Sequence, residues 1–152
     1  MDGTLVDTEP YWMAAETALV ESFGGSWTHE DALQLVGNGL IDSAIILQHA
    51  GVDMDAEAII SLLTDGVQEA LRTQGVPFRP GARELLQDLK SAGIPTGLVT
   101  MSLRRMALSV VDLIEFDAFD IVVAGDDVIH PKPHPCLLYT SPSHETSLHL
   151  VC

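Results

Sequence analysis

P-G-A-R-E-L-L-Q-D-L-K-S-A-G-I-P-T-G-L-V-T, residues 80–100, carries two textures in succession. Pro80-Gly81 opens it as a turn. The next ten residues place Leu85, Leu86 and Leu89 at helical spacing, which predicts an inward-facing stripe, and Gly93 stands where a helix stops. Residues 94–100, I-P-T-G-L-V-T, lose that period and read as a buried strand. Working outward toward the C-terminus, residues 103–114 return to helical spacing. I-V-V-A at 121–124 is then a second short buried strand, followed by Gly125-Asp126-Asp127. Helix alternating with buried strand is the pattern of a parallel sheet covered on both faces.

Outward in the other direction the texture changes. Residues 9–74 read as helix throughout. Trp12, Ala15, Ala18, Leu19 and Phe23 recur at three- and four-residue steps, and Gly24-Gly25 ends that helix. Thr28 opens T-H-E-D, an N-cap with acids in the first turn, and a short helix should run to Leu35. Gly37-Asn38-Gly39 breaks it, and a third helix is expected at 41–50. Asp55 opens a fourth, with Ile59, Leu62, Leu63, Val67, Ala70 and Leu71 on one stripe and Gly75 at its end. M-D-G-T-L-V, residues 1–6, reads as the end of a strand entering a tight turn at Gly3. A strand needs a sheet to pair with, so this segment belongs with the later strands. The expected class is α/β: an incomplete Rossmann-like parallel sheet core at 1–8 and 78–135, with an all-α helical domain inserted at 9–77. Residues 136–152 continue neither period and are expected to be a disordered, non-native tail. Within them C-L-L-Y-T-S-P-S, 136–143, resembles the translation of a transposase adapter used in sequencing-library preparation, which places the native end near Pro135.

Seven basic against 22 acidic residues give 152 residues a formal charge of −15. That excludes nucleic acid and anionic membrane as partners, since both need a cationic face. There is no apolar run of the roughly 18 or more residues a membrane helix needs, and no basic start or signal-peptide core. Both cysteines, Cys136 and Cys152, lie near the C-terminus and cannot staple the main body, which fits a reducing cytoplasm. A monomer or weak dimer handling a small molecule is expected.

The chemistry gathers at strand ends. Asp2 through Asp7, then Thr100-Met101-Ser102, then Lys132 in H-P-K-P-H-P each follow a predicted strand. Ligands of open α/β sheets bind outside the carboxyl ends of the strands. A carboxylic acid can protonate a leaving oxygen. A hydroxyl and turn amides can hold phosphoryl oxygens, and a lysine adds point charge. The acidic surface does not forbid an anion. Exposed charges are screened beyond about 8 Å, whereas a lysine about 4 Å from phosphate gains roughly 4 kcal/mol at an effective dielectric near 20. Arg104-Arg105 read as a solvated helix face, and His130 and His134 as loop histidines.

D-G-T-L-V-D-T-E at 2–9, a helical insert, L-V-T-M-S at 98–102 and K-P-H-P at 132–135 together resemble the haloacid dehalogenase-like hydrolases. The branch is the one with phosphoglycolate phosphatase and β-phosphoglucomutase, whose helical cap follows the first strand. The resemblance implies a Mg²⁺-dependent phosphatase or phosphomutase for a small phosphorylated metabolite, working through an aspartyl phosphate. It makes Asp2 the general acid/base, with its backbone carbonyl on Mg²⁺. Thr100 becomes the hydroxyl that holds the phosphoryl group, and Lys132 the lysine that orients it. Gly3 and Thr4 match the turn after the strand. Ser102, Glu9 and Asn38 are candidate substrate contacts. Each has a plainer reading: Ser102 as N-cap of the helix at 103–114, Glu9 as a hinge, and Asn38 as a turn.

The family's nucleophilic Asp precedes D-G-T by two positions, where Met1 is the intervening residue, and its last acidic pair follows the lysine. Neither occurs among the 152 residues. Asp126-Asp127 precede Lys132 and do not fill the role. On this reading the chain is cut at both ends and is expected to have no useful phosphatase activity by itself. A non-catalytic binding or regulatory protein on the same fold is the alternative. A phosphoacceptor receiver domain is disfavoured by the long helical insert between Asp2 and Thr100.

Overall fold

The computed structural model describes residues 1–130, 132 and 134–140. They form two compact units. One holds Met1–Asp7 with the described residues from Val76 onward, and the other is Thr8–Gly75.

The Thr8–Gly75 unit is all helix: α1 Glu9–Ser22, α2 His29–Leu33, α3 Leu40–His49 and α4 Ala56–Gln74. α4 packs against α1 and α3. Its buried face is Ile59, Ile60, Leu63, Thr64, Val67 and Leu71, met by Leu19 and Val20 of α1 and Ala44 and Leu47 of α3. Burying each large apolar side chain here is worth about 1.5–3 kcal/mol. Gly66 brings the helices close, since a Cβ there would stand 3.3 Å from the Ala15 Cβ.

Two stripes differ from the pattern. On α1 the buried positions are Glu16, Leu19 and Val20, while Ala18 and Phe23 are exposed. A reading that counts only apolar residues passes over Glu16 and rotates the face. On α4, Leu62 is exposed. Thr28 does cap α2. Its hydroxyl accepts the Asp31 N–H at 3.2 Å, and the Asp31 carboxylate accepts the Thr28 N–H at 2.8 Å. This reciprocal box satisfies two otherwise orphaned donors. Thr28→Ala should therefore lower stability by about 1 kcal/mol, read as a fall in the urea midpoint without a change in slope.

The other unit contains α5 Ala82–Ser91, β1 Gly97–Val99, α6 Arg104–Asp112, β2 Ile121–Val123, a 3₁₀ turn Gly125–Asp127 and α7 Cys136–Thr140. β1 and β2 pair in parallel, with Gly97 opposite Ile121, Leu98 opposite Val122 and Val99 opposite Val123. β1 is shorter than the strand expected at 94–100. Pro95 has no N–H to give to a ladder. Side chains take over there: the Asp120 carboxylate accepts the Thr96 N–H at 2.7 Å, and the Thr96 hydroxyl donates to the Ala118 carbonyl.

Residues 1–6 form no strand with β1. Gly3, at φ 71°, folds the segment back on itself, with Gly3 N–H on the Val6 carbonyl at 2.8 Å and Leu5 N–H on the Met1 carbonyl at 2.8 Å. The next residues pair instead with 77–79, through Asp7 N–H to Pro77 O at 2.8 Å and Arg79 N–H to Leu5 O at 2.9 Å. On α5 only Leu86 is buried. Leu85 was expected inward but is 59% exposed, and no element of the described residues covers it.

The expectation of disorder from residue 136 fails for α7. Cys136 and Leu137 are buried, the Pro135 carbonyl accepts the Leu138 and Tyr139 N–H groups, and His134 Nδ1 accepts the Cys136 N–H at 3.1 Å. Apolar burial and this local capping suffice for one short turn of helix. Residues 141–152, including Cys152, lie outside the described residues.

Candidate active site

The carboxyl ends of β1 and β2 feed two turns, Thr100-Met101-Ser102 and Ala124-Gly125-Asp126-Asp127. Thr100 extends the ladder by one step, its N–H donating to the Val123 carbonyl at 2.9 Å. The turns lie directly on one another. Gly125 N–H donates to the Ser102 carbonyl at 3.0 Å, and a Cβ on Gly125 would stand 2.2 Å from the Met101 carbonyl oxygen. Glycine is required here by close approach of two backbones.

Stacking the turns fixes a line of hydroxyls. Thr100 and Ser102 are 2% and 5% exposed. Thr100 Oγ1 donates to Ser102 Oγ at 3.2 Å and accepts the Ser102 N–H at 3.2 Å. Ser102 Oγ donates onward to Asp2 Oδ2 at 2.6 Å. This bond is at the short end of the range for O–H···O hydrogen bonds. It holds half-buried Asp2 at the end of β1 although Asp2 is 100 residues earlier in the chain. Lys132 reaches the same turn through its backbone, its N–H donating to Met101 Sδ at 3.5 Å. Its side chain is exposed. Among the described residues Lys132 enters no ion pair, whereas Arg79, Arg83, Lys90 and Arg104 each face a carboxylate. Asp2, Gly3, Thr4, Thr100, Ser102 and Lys132 all lie in this unit, with Gly3 and Thr4 on the exposed turn. Glu9 opens α1 and Asn38 follows α2, both in the helical unit; the Asn38 amide donates to the Gln34 carbonyl at 2.8 Å and closes that turn.

Two readings of the start of α6 are corrected. Ser102 does not cap it, because its hydroxyl is committed to Asp2. Asp126 takes that place, accepting the Arg104 N–H at 2.7 Å. Arg104 is not simply solvated either. Its guanidinium donates to Asp127 at 2.9 Å and to the Val122 carbonyl at 3.0 Å. The hydrogen bond from Arg104 holds the Asp127 carboxyl below the usual carboxylate range. Asp127 in turn accepts the Ala124 N–H at 2.7 Å, so the pair ties α6 to the end of β2.

A magnesium ion needs near-octahedral oxygen ligation, usually from one or two carboxylates besides water and phosphate. The described residues contain no group of three or more His, Cys, Asp or Glu side chains able to hold a metal. The Asp2 carbonyl alone does not make such a shell, and one Asp2 carboxylate oxygen is already taken by Ser102. These residues do not by themselves fit the metal.

The family profile of the haloacid dehalogenase-like hydrolases matches residues 1–144. The chain belongs to this family. Curated haloacid dehalogenase-like relatives include a phosphorylated carbohydrates phosphatase of Thermotoga maritima, 29% identical, with 89% of this chain matched to 63% of that protein. A phosphoglycolate phosphatase of Yersinia pseudotuberculosis is 30% identical, with 91% matched to 62%. The chain thus spans less than two thirds of the length of these relatives. Among solved structures, CbbY from Rhodobacter sphaeroides in complex with phosphate superposes with a TM-score of 0.80 at 24% identity, covering 92% of this chain and 67% of that one. This likeness supports the Rossmann-type α/β fold. Among the described residues no helix is long and apolar enough to cross a membrane.

Sequence reasoning missed Gly125, Asp126 and Asp127 as builders of this corner. The signal was present: a Gly-Asp-Asp run immediately after a buried strand marks a turn whose carboxylates face the next helix start.

Proposed function

We propose that this chain carries the acid/base and phosphate-holding part of a phosphatase or phosphomutase for a small phosphorylated metabolite. The observation that supports it most is the hydrogen-bonded line from Thr100 through Ser102 to Asp2 at the carboxyl end of β1, with Lys132 beside it. In the family pattern the nucleophilic carboxylate stands immediately before Met1. Attack by that carboxylate in line with the leaving oxygen forms an aspartyl phosphate and expels an alkoxide, which takes its proton from Asp2. Asp2, then ionised, accepts a proton from the water that cleaves the acyl phosphate and returns inorganic phosphate. To hold a phosphoryl oxygen the Thr100 O–H must turn away from Ser102 Oγ, its partner in the structure, and Lys132 offsets the phosphoryl charge. Mg²⁺, when bound, would neutralise phosphate oxygens; the ligands completing its shell are not among the described residues. Phosphorylated sugars and phosphoglycolate are the substrate class that the curated relatives' names suggest.

The test is phosphate release from a panel of sugar phosphates, phosphoglycolate and pyrophosphate with Mg²⁺. It compares a protein that carries Asp immediately before Met1 and the family's late acidic pair after Lys132 with one that carries Asn in place of that Asp. Loss of a nucleophile has cost about 10⁶-fold in a well-studied protease, so only the Asp form should turn over. Equal release by both forms, or none from any panel member, rejects the catalytic reading and leaves a binding or regulatory role.

A further inference from the structure

The helical unit, residues 8–75, holds eleven carboxylates and a single cationic side chain of the Lys/Arg type, Arg72. One of the eleven, Glu16, is buried on the inner face of α1 and is only 6% exposed. Its Oε2 and the indole Nε1 of Trp27, which lies between α1 and α2, are both buried without a hydrogen-bond partner. A buried donor and a buried acceptor left unmet are each costly. We propose that Glu16 and Trp27 form a pH-sensitive latch in the helical unit: with Glu16 neutral the corner between α1 and α2 stays dry and closed, and with Glu16 ionised it takes up water and loosens.

The surroundings explain the direction. α2 and α4 pack against α1, and the end of α3, which carries Asp42 and exposed His49, lies near the C-terminal end of α1. α2 carries His29, Glu30 and Asp31; α4 carries Glu57, Asp65, Glu69 and Arg72; α1 itself carries Glu9 and Glu21. Asp31 is held by Thr28. Arg72, at the far end of α4, pairs with Glu69. No cation is left on these helices to serve as counterion, apart from exposed His29 and His49 when protonated. Burial accordingly pushes the Glu16 carboxyl up to about 7, and the Trp27 indole opposes that rise. Both atoms fall outside hydrogen-bond geometry as they stand. An ionised Glu16 must therefore draw the indole inward or admit water.

A carboxyl whose folded-state pKa is raised stabilises the fold fully below its unfolded value near 4.5, and that stabilisation is lost as pH rises toward 7. The experiment is urea unfolding of the full chain at pH 5 and pH 8, beside Glu16→Gln. Wild type should become easier to unfold across this interval, by about 10- to 100-fold in the unfolding constant beyond any change in the variant. Exchange of the Trp27 indole proton, followed by ¹⁵N-edited NMR, should rise more steeply through the same interval than base catalysis alone gives, and more steeply than in Glu16→Gln. Parallel pH dependence in wild type and Glu16→Gln overturns the latch. If the variant does not fold, the Glu16 carboxyl ¹³C shift in wild type decides: titration near 7, with indole exchange rising more steeply than base catalysis alone gives, supports the latch, and titration near 4.5 overturns it.

Discussion

Gly125→Ala should destabilise this protein strongly, through the closest backbone contact that an added Cβ meets at Gly24, Gly25, Gly37, Gly51, Gly66, Gly75, Gly81, Gly93 or Gly125. The new Cβ would stand 2.2 Å from the Met101 carbonyl oxygen, 2.8 Å from its carbon and 3.2 Å from its Cα. All three atoms are backbone, so no rotamer change can relieve the contact. The turn at 100–102 must move away from the turn at 124–127. That movement breaks the 3.0 Å hydrogen bond from Gly125 N–H to the Ser102 carbonyl and carries the Ser102 hydroxyl away from Asp2. Overpacking of this kind costs about 3 kcal/mol, toward the upper end of its usual range, because the obstacle is rigid. Gly24→Ala is the control. It sits at φ 78° with nothing within 4 Å of its Cβ, so its cost is conformational, about 1 kcal/mol. Urea midpoints should separate the two variants clearly. Equal midpoints would show that the two turns slide apart freely and that the corner is not rigid.

The same corner shows what a sequence discloses and what it hides. Alternating helix and strand texture was enough for the α/β class, because apolar periodicity directly records which face is covered. Caps such as Thr28 were readable because the whole motif lies within four residues. The tight turn at Gly3 and the place of residues 1–7 with the later strands were legible in M-D-G-T-L-V, but their actual pairing partners, residues 77–79, lie about 70 residues away and nothing local points to them. Glu16 was invisible for a different reason: a charged residue in a helical pattern is read as solvent-facing, and only packing puts it inside. Ser102 was given two readings, cap or substrate contact, and the structure gives its hydroxyl to Asp2. Asp126 then supplies the cap, a pairing across 22 residues that spacing alone does not encode.

In a protein carrying Asp immediately before Met1 and the family's late acidic pair after Lys132, Asp2→Asn should slow hydrolysis of sugar phosphates by about 10²- to 10⁴-fold, the range for loss of a positioned acid/base. The size should depend on the leaving group. A sugar alkoxide is strongly basic and needs a proton as it departs. p-Nitrophenolate is weakly basic and leaves unaided. Aspartyl-phosphate formation from p-nitrophenyl phosphate should therefore be nearly unchanged in Asp2→Asn, while attack of water on that intermediate stays slow. The expected signature is a burst of p-nitrophenolate equal to the enzyme concentration, followed by slow turnover. Asparagine keeps the shape and still accepts the Ser102 O–H, so the bond that orients residue 2 survives. Ser102→Ala reverses the situation: the carboxyl remains but loses its 2.6 Å anchor. It should lower kcat for both substrates by a smaller factor, with KM little changed, and Ser102→Thr should restore much of the loss. If Asp2→Asn removes the burst as well as the turnover, residue 2 is needed before the leaving group matters, and the acid/base role assigned to it is wrong.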